Sequence, residues 1–285
     1  MAAVDTVRPD GVQHGRRVVV LWLALSVILT PIAIFVIGPL IPPGNGSVQG
    51  QGQVFDNQVL IGVSAPIIAF VLVMLGYTLV AFRERDRAAV GLPVRGDSRL
   101  QLLWIVITSA TVLGLAAFGT YELVKDGAGG GQGPSATFLP SDHKNAMDVQ
   151  VIGQQWQFTY RYPTYGGLET PHLYLPAHTL IRLHVTSLDV IHSFWAVNLG
   201  VKADANPGTD NVVYVETKSP LKLNIRCAEL CGLWHGYMFD EQGRVVAPAA
   251  FAAWIKRQQV LYGPIVKDLP PYSTTYSPEP TLRAG

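Results

Sequence analysis

The run CAELCGLWHGYM, from Cys227 to Met238, holds both of the chain's cysteines, one of its seven histidines and one of its four methionines. By residue type it reads C-x3-C-x3-H-x2-M. Two thiolates, an imidazole and a thioether form a soft nitrogen-and-sulfur donor set, which suits copper or zinc and not magnesium or calcium. A mononuclear blue-copper site takes one thiolate, two imidazoles and a weak axial methionine, so one copper leaves the second cysteine without a role. Two coppers bridged by both sulfurs use both. Each then wants one imidazole and accepts one weak axial ligand. His235 and Met238 supply one of each, and a second histidine must come from elsewhere in the chain. Three plainer readings compete. A Cys227–Cys231 disulfide fits an oxidising compartment but gives no reason for His235 and Met238. A structural zinc site of two cysteines and two histidines usually has closer cysteine pairs and little use for methionine. Met238, taken alone, reads as core filling.

The elements that must position these groups follow from the surrounding pattern. His192 lies in DVIHSFWAVNLGVKADANPG, after the strand-like run IRLHVTSLD, so it is expected where a strand leaves a sheet. The interval to Cys227 leaves room for two strands and a return to the same end. His143, His172 and His178 lack such a setting and read as surface or hydrogen-bonded histidines; His184 sits on a strand whose alternation could point it either way. Short runs divided by Pro and Gly, at Asp148–Tyr162, Leu180–Thr186, Asn211–Thr217 and Leu221–Arg226, predict an all-β Greek-key sandwich or barrel. Loops at one end of such a scaffold are where ligands collect. A helix over Ala249–Tyr262 closes this domain, which is expected to span 137–262. A glycine-rich linker at 125–136 precedes it, and a proline-rich tail at 263–285 follows, expected to be extended.

The chain has 285 residues, of which 49% are hydrophobic and 14% charged, with formal charge +1. A near-neutral, strongly apolar chain points to a membrane protein with a soluble domain attached, and no basic excess points to nucleic acid. Uncharged apolar stretches at 18–41, 59–82 and 102–121 are each long enough to span a bilayer, within an anchor over 18–124. Arg8, Arg16 and Arg17 precede the first stretch, and Arg83, Arg85, Arg87, Arg95 and Arg99 follow the second. The loop Pro42–Gln58 between them has no Lys or Arg. The positive-inside rule therefore places residues 1–17 and the arginine-rich loop in the cytoplasm and everything after Tyr121 outside, in the cell membrane of a bacterial-type cell. The first stretch is longer than a signal-peptide core and is expected to be retained.

CAELCGLWHGYM resembles the binuclear copper centre of cytochrome c oxidase subunit II, a specific motif, and the resemblance extends over about the last two thirds of the chain. It implies a cupredoxin-like fold behind N-terminal transmembrane helices. It implies two copper ions bridged by Cys227 and Cys231, one imidazole each from His192 and His235, Met238 as one weak axial ligand and the backbone carbonyl of Glu229 as the other. It further implies that the Glu229 carboxylate reaches magnesium at the interface with subunit I, with Asp204 near the same interface. Trp156, in GQQWQFTYRYP, matches the tryptophan through which the family receives electrons from cytochrome c, and Phe158 stands where a second tryptophan is common. The implied function is electron transfer from cytochrome c to heme in subunit I of an aa3-type oxidase, coupled to oxygen reduction and proton pumping. Two departures stand out. The family usually anchors with two helices, and Gln101 replaces a glutamate linked to proton uptake. Ten acidic and ten basic residues between Asp142 and Arg257 predict no strong steering of a basic donor, so a soluble, membrane-bound or supercomplex cytochrome all fit. The alternatives are an anchored copper-binding or chaperone protein, and subunit II of a quinol oxidase, which lacks the copper ligands.

Overall fold

The computed structural model describes residues 9–41, 44–83, 96–126 and 143–266. The expected glycine-rich linker, the proline-rich tail and most of the arginine-rich loop lie outside the described residues. The chain divides into two compact units, residues 1–41 with 55–119, and residues 42–54 with 120–285.

The first unit is helical. Helix α1 spans Pro9–Ile32 and continues through a π-helical turn, Ala33–Ile37; α2 spans Val48–Ala81 and α3 spans Ser98–Asp126. All three are long and apolar enough to cross a membrane. Each begins before the apolar stretch that predicted it, because polar flanking turns continue the helix while contributing nothing to hydropathy. Helices α1 and α2 are fastened by polar contacts that an apolar medium strengthens. The Trp22 indole donates to the Pro66 carbonyl at 2.8 Å, and His14 Nδ1 lies 2.7 Å from the Tyr77 hydroxyl.

The second unit is a cupredoxin-like sandwich. Its strands are β1 (Met147–Gln154), β2 (Gln157–Tyr162), β3 (Leu168–Thr170), β4 (Tyr174–Pro176), β5 (Leu180–Ser187), β6 (His192–Ala196), β7 (Val201–Ala205), β8 (Asn211–Glu216), β9 (Leu221–Lys222), β10 (Ile225–Cys227), β11 (Phe239–Asp240) and β12 (Arg244–Val246). One sheet runs β3-β2-β1-β5-β8, a second β11-β10-β6-β7, and a small third β4-β12-β9. Strands β1 and β5 pair in parallel, from Met147↔Ile181 to Gly153↔Ser187, which requires the chain to cross over between them instead of forming a hairpin. Val149, Val151, Leu183, Val185, Phe194, Ala196 and Ile225 fill the space between the two larger sheets. The predicted run 148–162 is two strands, broken at Gln155–Trp156, and 221–226 is likewise two.

Helix α4, Pro248–Val266, covers one edge. Its Trp254 stacks on Tyr174 at 4.4 Å between ring centroids. The Tyr162 hydroxyl, buried beneath, donates to the Tyr174 carbonyl at 3.0 Å.

Residues 44–54, expected to be a plain loop between spans, belong to this unit. Gly44 and Gly46 donate backbone N–H groups to the carbonyls of Val197 and Asn198 at 3.1 and 2.9 Å. The Ser47 hydroxyl donates to the Leu199 carbonyl at 2.5 Å. A Cβ at position 46 would lie 2.6 Å from the Asn198 oxygen, so only glycine permits this approach. The turn it clasps, Val197–Leu199, joins β6 to β7, and Asn198 Oδ1 accepts the Asn224 N–H at 2.6 Å just before β10. Strands β6 and β10 carry His192 and Cys227.

Candidate metal centre

Strand pairing brings the distant histidine to the cysteine run. Strands β6 and β10 are antiparallel with Cys227 opposite Phe194, which sets the two strand ends bearing His192 and Cys227 side by side. His192 opens β6; it does not close the preceding strand, as the sequence pattern had suggested. The chain then loops from Ala228 to a single 3-10 turn at His235–Tyr237 and re-enters the sheet at β11. Two backbone bonds pin the loop, from Cys227 N–H to the Met238 carbonyl at 3.0 Å and from Met238 N–H to the His235 carbonyl at 3.1 Å.

The six groups named from the sequence converge. Cys227 Sγ lies 3.8 Å from Cys231 Sγ, 3.9 Å from His192 Nδ1 and 3.2 Å from the Glu229 carbonyl oxygen. Cys231 Sγ lies 3.5 Å from His235 Nδ1 and 3.7 Å from Met238 Sδ. Both cysteines are free and buried; a disulfide would need the sulfurs about 2 Å apart. His192, Cys231 and Met238 are buried and His235 is partly exposed. Among the described residues, His192, Cys227 and Cys231 form the cluster of groups able to hold a metal ion.

The electrostatics fit a cationic occupant. Burial raises the Cys227 thiol, but hydrogen bonding to His192 and to nearby backbone outweighs it and lowers the pKa to about 6. Burial and the neighbouring Cys227 together push Cys231 up to about 12. Two adjacent buried sulfurs therefore share one negative charge until a cation permits the second proton to leave. The donor set, two sulfurs, two imidazole nitrogens, a thioether and a carbonyl, is the soft mixture copper takes.

Asp189 and Gln155 were not foreseen. Asp189 Oδ1 lies 2.8 Å from His192 Nε2, so the carboxylate occupies the far nitrogen and leaves Nδ1 facing Cys227, the usual way a ligand imidazole is oriented. Burial opposes ionisation of Asp189, but the Gln155 N–H, at 2.7 Å, and His192 outweigh it and lower its pKa. The spacing D-x2-H ahead of β6 was the available signal. Trp156 is partly exposed, and its indole N–H donates to the Cys231 carbonyl at 3.1 Å; the Gln155 amide donates to the same oxygen at 2.9 Å. Gly232 makes room for both side chains. Its φ is +114°, and a Cβ there would meet Gln155 Nε2 at 3.0 Å.

Three predicted positions lie apart from the sulfurs or face away from them. The residue Glu229 is exposed. Asp204, on β7, accepts the Ser193 hydroxyl at 2.8 Å. Phe158 is buried edge-on against Phe194 and His192 and is a packing residue.

Fold and site together define a membrane-anchored cupredoxin-like domain with a histidine–cysteine cluster of the copper-binding kind. Residues 168–240 match the family model described as cytochrome c oxidase subunit II, periplasmic domain. A protein of Synechocystis named cytochrome c oxidase subunit 2 is 29% identical over 58% of this chain and 60% of its own length. One of Thermostichus vulcanus with the same name is 27% identical over 77% of this chain and 80% of its own. The solved periplasmic domain of subunit II of cytochrome oxidase from Bradyrhizobium japonicum is 30% identical, covering 41% of this chain and 95% of that one, with a TM-score of 0.39. The chain belongs to the cytochrome c oxidase subunit II family. It spans 60% and 65% of the lengths of its Synechocystis and Rickettsia conorii relatives.

Proposed function

We propose that this chain is the electron inlet of an aa3-type cytochrome c oxidase. It takes one electron at a time from a cytochrome c on the outer side of the membrane and passes it to heme in subunit I. There oxygen is reduced to water and protons are pumped. The observation that carries this reading is the meeting of four donor groups, from β6 and the loop after β10, around a pair of unbonded cysteine sulfurs.

Cys227, Cys231, His192, His235, Met238 and the Glu229 carbonyl would together hold a two-copper centre. Such a centre would supply a one-electron redox store on the outer domain. The chain's own contribution is to hold the ligands still. Asp189 fixes the His192 ring, and the backbone bonds between Cys227, His235 and Met238 fix the loop. Trp156 provides the way in. Its partly exposed ring reaches the Cys231 backbone through one hydrogen bond, a short path from solvent to a bridging sulfur. The exposed Glu229 carboxylate would hold magnesium toward subunit I, a hard ligand for a hard cation.

Electron spin resonance of the copper-loaded full-length protein tests the reading. One unpaired electron shared by two equivalent copper nuclei gives a seven-line hyperfine pattern. A four-line pattern means isolated copper and defeats the assignment.

A further inference from the structure

Helices α1 and α2 border an open cleft that the electron-transfer role does not use. It has a volume of about 530 Å³ and is lined by Gln13, Arg16, Arg17, Val20 and Leu21 of α1 and by Tyr77 of α2. The α1 residues fall at the i, i+3, i+4, i+7, i+8 spacing of one helix face. That face changes character along its length. Two guanidinium groups and an amide stand at the helix start, with a branched apolar floor one turn deeper.

The two helices are held together around this cleft. His14 meets the Tyr77 hydroxyl at 2.7 Å and packs its ring on Phe82 at 5.0 Å. Deeper in the helix pair, Trp22 donates to the Pro66 carbonyl and packs edge-on against Phe70.

We propose that this cleft binds one anionic phospholipid. Arg16 and Arg17 would take its phosphodiester oxygens, since guanidinium groups pair with phosphate in a planar, two-pronged manner. Gln13 would bond the glycerol or headgroup hydroxyls, and the acyl chains would run down α1 over Val20 and Leu21. A free inorganic anion has no use for the apolar half, and a zwitterionic lipid carries its own cation into the two arginines. The arginines lie at the end of α1 that the positive-inside rule assigns to the cytoplasmic leaflet, where basic pockets between helices meet anionic headgroups. The lipid would then act as a wedge in the α1–α2 pair, tying the first helix to the second.

The test uses the full chain in nanodiscs of equal phosphatidylglycerol and phosphatidylcholine, extracted into detergent, washed, and analysed for retained lipid by mass spectrometry. Wild-type protein retains phosphatidylglycerol about thirtyfold over phosphatidylcholine, the scale expected of two arginines at about 1 kcal/mol each. The R16Q/R17Q variant retains the two lipids in the proportion offered. R83Q removes an arginine just beyond the end of α2 and outside the cleft lining, and it keeps the wild-type preference. Loss of the preference in R83Q as well would mean a general field of positive charge and overturn the site. So would equal enrichment in wild type and R16Q/R17Q, or no enrichment in wild type. Displacement of the lipid by millimolar inorganic phosphate would assign the arginines to a free anion instead. Helical circular dichroism confirms that each variant is folded.

Discussion

His192 and His184 are both buried in the same sandwich, and both contact aspartate, yet only one faces sulfur. Asp189 occupies Nε2 of His192, and Nδ1 looks at Cys227 Sγ. Asp210 Oδ2 lies 2.9 Å from Nδ1 of His184, and Asp148 Oδ1 lies 3.6 Å from its Nε2. Burial pulls the His184 pKa down, but hydrogen bonding to Asp148 and Asp210 and their charges outweigh it and hold the pKa above its ordinary value. A ring flanked by carboxylates on both nitrogens is biased toward its protonated form, in which neither nitrogen offers a lone pair to a metal. A ring with one carboxylate behind it is oriented and left with a donor nitrogen in front. The two rings differ in how carboxylates are placed around them and in the sulfur that faces only His192, the proposed ligand.

The largest expected effects break this comparison at its centre. His192→Gln abolishes the seven-line spectrum, whereas His184→Gln leaves it intact; a His184→Gln protein without the spectrum would put both rings in the same role. Cys231→Ser likewise removes the shared-electron signal, because one sulfur no longer bridges. Next comes the carboxylate behind each ring. Asp189→Asn lowers copper affinity about 10–100-fold, the usual cost of removing the group that orients a ligand imidazole. Asp210→Asn leaves that affinity unchanged, and competition with a chromophoric chelator measures both. Smaller still is Trp156→Phe, which keeps an aromatic ring but loses the N–H that reaches the Cys231 carbonyl. Copper content and spectrum stay as in wild type while oxidation of reduced cytochrome c slows; an unchanged stopped-flow rate would move the inlet elsewhere.

How much of this was legible in the sequence depended on distance along the chain. Cys227, Cys231, His235 and Met238 could be read from spacing because one short loop holds all four. His192 could be picked out because the run before it has strand periodicity and a turn. Its place at the start of β6 could not, since a short loop between two strands leaves that assignment open. For Asp189 the D-x2-H spacing was the one available sign, and its orienting role appears only once the β5–β6 loop folds back on the ring. The segment 44–54 was misread as a bare connection between spans. Its ties to Val197, Asn198 and Leu199 are made by backbone groups, and those carry no signature in residue type. Glycines and glutamines there looked like solvent-exposed loop, and the same composition serves close backbone packing.

The last prediction sharpens the comparison through pH. His184 is faced by Asp148 on β1 and Asp210 ahead of β8, and Arg182 is bonded to Asp148 at 2.6 Å. A histidine whose folded pKa exceeds its ordinary 6.5 contributes stability in full below that value and loses it as pH rises through the raised pKa. Asp148 behaves in the opposite sense. Burial raises it, but His184 and Arg182 bring it down from 3.8 to about 2, so its contribution is present above 3.8 and lost as pH falls toward 2. His184→Gln should cost about 2 kcal/mol at mildly acidic pH, as expected for stranding buried acceptors. That deficit relative to wild type should shrink steadily as the medium is made alkaline, in thermal unfolding of the two proteins side by side. A deficit that stays level through the neutral and alkaline range would mean that folded His184 is neutral. Charge would then not be what withholds it from metal, and the difference between the two histidines would come down to the absence of sulfur near His184 alone.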